Sequence, residues 1–148
     1  MNNALRELMQ AFVNADYADL VDIANEALET AFPALTKIFV ESDEDKALPG
    51  QALLHFIATT LAVDGNFTEL EYKFYRDIVG DTDSYEDVRA FVANYADGKH
   101  AELADKLFDF VATDTDLKAA LLKLSLAICA VDQTISVDEK NFICRLVD

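Results

Sequence analysis

Two short acidic segments of the sequence carry the residue types that bind hard cations. Asp64 and Glu71 flank one segment, and Asp132 and Glu139 hold the same places in the other, each in the pattern Asp-x-x-apolar-Ser/Thr-x-x-Glu. Ca²⁺ and Mg²⁺ prefer carboxylate oxygens, and a cation relieves the repulsion between neighbouring carboxylates. If the two segments meet in the fold, these four carboxylates form a candidate divalent-cation site.

Helix capping explains the same residues without a ligand. Thr68 with Glu71, and Ser136 with Glu139, have the spacing of a capping box, in which the hydroxyl and the carboxylate each accept from a backbone amide. An Asp-Gly turn dipeptide precedes the first box. Both interpretations stay open, because the sequence does not show whether the carboxylates converge.

The residues before each motif argue against an EF-hand. With Glu71 as the last ligand of a twelve-residue loop, the first and third loop positions fall on Thr60 and Ala62. In the second copy they fall on Ile128 and Ala130. An EF-hand needs oxygen ligands at those positions, whereas here they belong to apolar helical segments.

The two motifs belong to a longer internal repeat. Residues 62–71 align with residues 130–139, an offset of 68, and flanking positions keep this register. Matched pairs include Tyr17 with Tyr85, Leu53 with Leu121, Phe74 with Phe142, and Val79 with Val147. The repeat predicts two similar halves, about 16–79 and 84–147, packed about a pseudo-twofold axis, with the first helix outside it.

The spacing of the apolar residues predicts an all-α protein. They recur every three or four positions, and only 4 Gly and 2 Pro interrupt them. We predict one domain over residues 1–148, a compact bundle of about seven to eight short helices with two pseudo-symmetric halves. Pro33 is expected to begin a helix that runs to about Val40, after a separate helix over residues 17–31.

Aromatic and cysteine residues are expected mainly in the core. Cys129 and Cys144 are predicted to be free thiols, since no second pair completes a zinc ligand set. The predicted core phenylalanines are Phe39, Phe56, Phe74, Phe108, Phe110 and Phe142.

Little in the sequence favours enzyme chemistry. His55 and His100 are each isolated, and four scattered glycines do not build a phosphate-binding loop. We therefore predict a non-catalytic protein without an organic cofactor.

The charge balance narrows the choice of partners. With 12 Lys+Arg against 28 Asp+Glu, the formal net charge is −16, which disfavours nucleic acids and anionic membranes and favours cations or a basic protein partner. The longest apolar run, 119–131, is too short to span a bilayer, and no secretory signal is evident. We expect a cytoplasmic protein.

Residues 62–71 resemble the signature of the tellurite-resistance TerB-like family. In this segment, as in the family signature, an apolar, Ala-rich helix end precedes Asp-Gly-x-apolar-Ser/Thr-x-x-Glu. The resemblance covers about residues 50–147. It implies a compact all-helical, pseudo-symmetric domain of bacterial stress-response and accessory contexts, with acidic residues proposed to bind a metal cation and no established catalytic activity. The acidic positions would be Asp64, Glu71, Asp132 and Glu139. Gln133 departs from the usual glycine, so we expect the second turn to differ in shape from the first and the metal role to belong mainly to the first.

Two classes of function therefore remain. The first is a cytoplasmic TerB-like accessory domain that binds a divalent cation at the repeated turns and serves stress or tellurite-type resistance. The second is an acidic interaction module, such as an immunity-type inhibitor or a nucleic-acid mimic, that docks on a basic partner without metal. Its candidate docking charges are Asp43, Asp45, Asp81 and Asp83.

Overall fold

The computed structural model describes residues 3–41, 48–63, 65–80, 83–95, 108–109 and 111–147. These residues contain no strand, which confirms the all-α prediction. Seven helices are α1 Asn3–Val13, α2 Tyr17–Glu41, α3 Leu48–Ala62, α4 Glu69–Val79, α5 Tyr85–Ala93, α6 Thr115–Ala130 and α7 Val137–Val147. Residues 108–109 and 111–113 are helical as well.

Helix α6 lies at the centre of the bundle. It packs against α1, α2, α3 and α7, and every residue from Leu124 to Ala130 is buried. A helix that is apolar on most of its faces must be covered on most of its faces, which explains this central position. The second acidic turn follows directly, so it is anchored to the core. Within the described residues, no helix has both the length and the apolar content needed to cross a membrane.

Helix α2 is one continuous helix of 25 residues, so the predicted break at Pro33 and the expectation of uniformly short helices are wrong. Proline inside a helix removes one backbone hydrogen bond. The Pro33 ring is exposed, so it does not disturb the packing between helices. Ala31 and Leu35, on either side of it, are fully buried. Burial of this continuous apolar stripe outweighs the local cost of the proline. The stripe comprises Leu20, Ala24, Ala27, Ala31 and Leu35.

The helix bounds recur at an offset of 68 residues. Helices α4 and α7 are displaced by 68 at both ends, and α3 and α6 end at Ala62 and Ala130. Helices α2 and α5 begin at Tyr17 and Tyr85. Secondary structure thus follows the same spacing as the sequence repeat, while the pseudo-twofold relation of the two halves stays a prediction.

The described aromatic and cysteine residues pack much as predicted. Phe56 and Phe74 are buried, and the half-buried rings of Phe108 and Phe142 lie edge to face at 5.9 Å. Both cysteines are free, Cys129 buried and Cys144 half-buried. The side chain of Phe39, together with Phe110, lies outside the described residues.

Candidate functional site

The first acidic turn is held by a complete capping box. After α3 the chain passes through Gly65 with φ 72°, a left-handed conformation that glycine adopts without steric cost. The Thr68 hydroxyl accepts from the Glu71 amide at 3.1 Å, and the Thr68 amide donates to Glu71 Oε1 at 2.9 Å. Glu71 is 2% exposed, so its carboxylate is buried against the turn it caps.

The second acidic turn has the same local geometry. The Ser136 hydroxyl accepts from the Glu139 amide at 3.2 Å, and the Ser136 amide donates to Glu139 Oε1 at 2.9 Å. Glu139 is also buried, at 6% exposure. Capping is therefore confirmed as the local role of both glutamates.

Gln133 adopts, without being glycine, the backbone conformation that Gly65 has in the first turn. Its φ is 65°, and the left-handed region costs a non-glycine residue about 1–2 kcal/mol. Gln133 aligns with Gly65 in the repeat, so the positive φ could have been anticipated from the alignment. The chain carries a strained residue where the first turn carries an unstrained one.

A single hydroxyl joins the two turns. Thr68 Oγ1 lies 3.1 Å from Glu71 Oε1 and 3.3 Å from Asp132 Oδ1. The hydroxyl has one proton, so it donates to one of these carboxylate oxygens at a time. Asp132 is exposed to solvent, whereas Glu71 is not. The structure thus places one buried and one exposed carboxylate on the same hydroxyl, a connection that the sequence analysis missed.

The four predicted ligand positions have different outcomes. Glu71 and Asp132 are brought together through Thr68, and Glu139 lies in the cap of the second turn. Asp64 lies outside the described residues, so assembly of the four-carboxylate site stays a prediction. In the part of the chain that the structure describes, no three His, Cys, Asp or Glu side chains are grouped closely enough to hold a metal ion.

Only one of the four acidic residues predicted for partner docking is among the described residues. Asp43, Asp45 and Asp81 are outside the described residues, and Asp83 is exposed.

On α2, four exposed carboxylates follow one another at helical spacing and form an acidic stripe. Its members are Asp19, Asp22, Glu26 and Glu29.

His55 belongs to an aromatic cluster. The Tyr95 hydroxyl lies 2.6 Å from His55 Nδ1, and the two rings meet edge to face at 4.9 Å. Phe91 packs edge to face on both rings. His55 is therefore a half-buried residue whose Nδ1 has a hydrogen-bond partner within the fold. His100 lies outside the described residues.

Two tyrosines are expected to make the folded state less stable at alkaline pH. Burial raises the pKa of Tyr95, and burial together with a 2.5 Å hydrogen bond to Asp77 raises the pKa of Tyr17. The folded protein therefore keeps both phenolic protons at a pH where the unfolded chain, with tyrosine pKa near about 10, has lost them. The stability that these groups contribute is fully present below about pH 10 and declines as pH rises further.

We expect Tyr95→Phe to reduce that alkaline loss. At neutral pH the variant should lose about 0.5–1.5 kcal/mol, because its hydrogen bond to His55 is gone. Between about pH 8 and about pH 11 its urea midpoint should fall less than that of the wild type, since one titrating group has been removed. Equal alkaline losses in the two proteins would show that Tyr95 does not contribute to the pH dependence.

No family model, no curated protein and no solved structure matches the chain. The resemblance to the TerB-like family therefore stays a prediction.

Proposed function

We propose that this chain is a non-catalytic, acidic binding domain that takes a divalent cation where its two acidic turns meet. The observation that carries the proposal is the Thr68 hydroxyl, which has the carboxylates of Glu71 and Asp132 within 3.3 Å. The resemblance of residues 62–71 to the TerB-like signature, which implies acidic cation ligands at these turns, agrees with the proposal.

Electrostatics favours a cation at this place. Two carboxylates that share one hydroxyl repel each other, and burial of Glu71 strengthens the repulsion because the local dielectric is lower. The chain's net charge of −16 adds to the negative potential. A divalent cation beside Asp132 would lower this repulsion, and it would gain an exposed carboxylate ligand.

Glu71 and Asp132 would have different roles in binding the cation. Glu71 Oε1 already accepts from the Thr68 amide, so Glu71 would supply a fixed negative charge from a position that the cap holds in place. Asp132 is exposed and would coordinate the ion directly. Waters would complete the shell, as they commonly do around Mg²⁺. Asp64 and Glu139 are the further candidate ligands, in keeping with the repeat.

The proposed biological role is that of a cytoplasmic accessory domain in stress or tellurite-type resistance. Its support is the resemblance to the TerB-like family together with the acidic composition. No catalytic step and no organic cofactor are part of the proposal.

Thermal unfolding with and without metal tests the cation site. The chelated protein is compared with the same protein in Ca²⁺, Mg²⁺, Mn²⁺ or Zn²⁺, as wild type and as Asp132→Asn. An ion at about 100 times its dissociation constant adds about 2.7 kcal/mol, which at this chain length is a rise in Tm of about 5–10 °C. We expect one ion to produce this shift in the wild type and Asp132→Asn to lose most of it.

A matched variant separates a site from general charge screening. Asp138 is exposed in the first turn of α7, so Asp138→Asn removes the same charge from a nearby helix start. It should keep the wild-type shift. Equal shifts in all three proteins would contradict the cation site and favour the acidic interaction module, for which the acidic stripe on α2 is the specific observation.

A further inference from the structure

A groove separate from the proposed cation site runs between α1 and the chain that links α6 to α7. Its volume is about 490 Å³, within the range of small-molecule sites. The floor is apolar and is formed by Met9, Val13 and Ile135. Met9 and Ile135 are 5% and 8% exposed, so the floor belongs to the hydrophobic core, and Val13 packs against it. We call this feature the α1 groove.

The rim of the α1 groove is basic in a chain that is otherwise acidic. Arg6 and Lys140 stand on it, and none of the described residues that line the groove is acidic, although acidic residues outnumber basic ones 28 to 12. Neither cation forms an ion pair with a carboxylate of the described residues. The charge of the groove is therefore complementary to an anion.

Gln133 contributes a polar side chain to the lining of the α1 groove. It occupies the left-handed position where the first turn has Gly65. Backbone strain of this kind clusters at functional sites. A glutamine amide can donate hydrogen bonds to a bound oxyanion, which a glycine cannot.

We propose that the α1 groove binds a small organic carboxylate that carries an apolar chain. Arg6 and Lys140 hold the carboxylate, with the guanidinium able to donate two parallel hydrogen bonds. The apolar chain lies on Met9, Val13 and Ile135 and leaves water. Gln133 donates from its side-chain amide to the same carboxylate. The ligand class follows from the pairing of two cations with an apolar floor.

Titration with octanoate tests this inference. Binding to the full chain is measured by isothermal calorimetry, and amide and methyl NMR shifts locate it. We expect one site, with shifts at Met9 and Ile135. Arg6→Gln and Lys140→Gln should each weaken the affinity at least about tenfold, the loss expected when a charged hydrogen-bond partner is removed. Both residues are exposed, so these variants keep the core intact.

Three comparisons make the test decisive. Octanamide, which has the same chain without the charge, should bind at least about tenfold more weakly. Arg89→Gln removes a cation that does not line the groove and should leave the affinity unchanged. Gln133→Gly should weaken octanoate binding without lowering Tm, because glycine relieves the positive φ.

Two of these comparisons can overturn the carboxylate site, and the third can overturn the role of Gln133 in it. Equal affinity for octanoate and octanamide would show that the rim does not recognise a carboxylate. An equal loss in Arg89→Gln would show a general charge effect rather than a site. Unchanged binding in Gln133→Gly would remove Gln133 from the ligand contacts. Because Asp132→Asn is not part of this test, failure here leaves the cation site unaffected.

Discussion

Leu124→Ala is expected to lower the free energy of unfolding by about 2–5 kcal/mol. Leu124 is fully buried in α6, the helix that packs against α1, α2, α3 and α7. Truncating this side chain removes apolar contacts from the core and leaves a cavity, because the surrounding helices relax only partly to fill it. Urea unfolding followed by far-UV circular dichroism measures the loss as a lower midpoint.

Leu70→Ala is the control for this prediction. Leu70 is a leucine of α4 with 42% of its surface exposed, so the same truncation should change the stability by about 0.5 kcal/mol or less. Similar losses in the two variants would contradict the central position of α6. A small loss in Leu124→Ala alone would mean that the neighbouring helices move in to fill the cavity.

Glu71→Ala is expected to cost about 2–3 kcal/mol. The substitution removes the glutamate half of the capping box and leaves the Thr68 amide without its acceptor in a partly buried place, although Thr68 still accepts from the backbone amide of residue 71. Glu71→Gln keeps a side-chain oxygen for that amide and should lose less. Urea unfolding of the wild type and both variants gives the comparison.

The second turn supplies the matched experiment. Glu139 accepts from the Ser136 amide at the same distance of 2.9 Å, so Glu139→Ala should be destabilising for the same reason. A difference between the two alanine variants would report what Glu71 gains or loses through the hydroxyl it shares with Asp132. If Glu71→Ala were stabilising, repulsion between those carboxylates would outweigh the cap.

The parts of the site that depend on neighbouring residues could be predicted from the sequence. Both capping boxes follow from a hydroxyl and a glutamate three residues apart, and both form as predicted. The positive φ of Gln133 could also have been predicted, because the repeat aligns Gln133 with Gly65. Hydrogen bonds between residues three apart depend on the local sequence and little on tertiary packing, so the sequence predicts them well.

Features that depend on tertiary packing could not be predicted in the same way. Proline at a helix start is the usual local rule, yet Pro33 lies inside α2 because the buried stripe continues past it. The α1 groove needs α1 to pack beside the second turn, and α1 has no counterpart in the repeat. Its two cations are far apart in sequence and have no spacing that marks them as a pair.

The contact between Thr68 and Asp132 differs from the caps around it in how it must assemble. Each cap closes a loop of three residues, whereas this contact joins groups that are 64 residues apart. Closing a long loop costs entropy that only the packed helices between its ends repay. The two caps need only their own helix starts, whereas this contact also needs the packing that brings the two turns together. The contact between Thr68 and Asp132 therefore reports the completed fold, and a cation bound as we propose would bind only the folded protein.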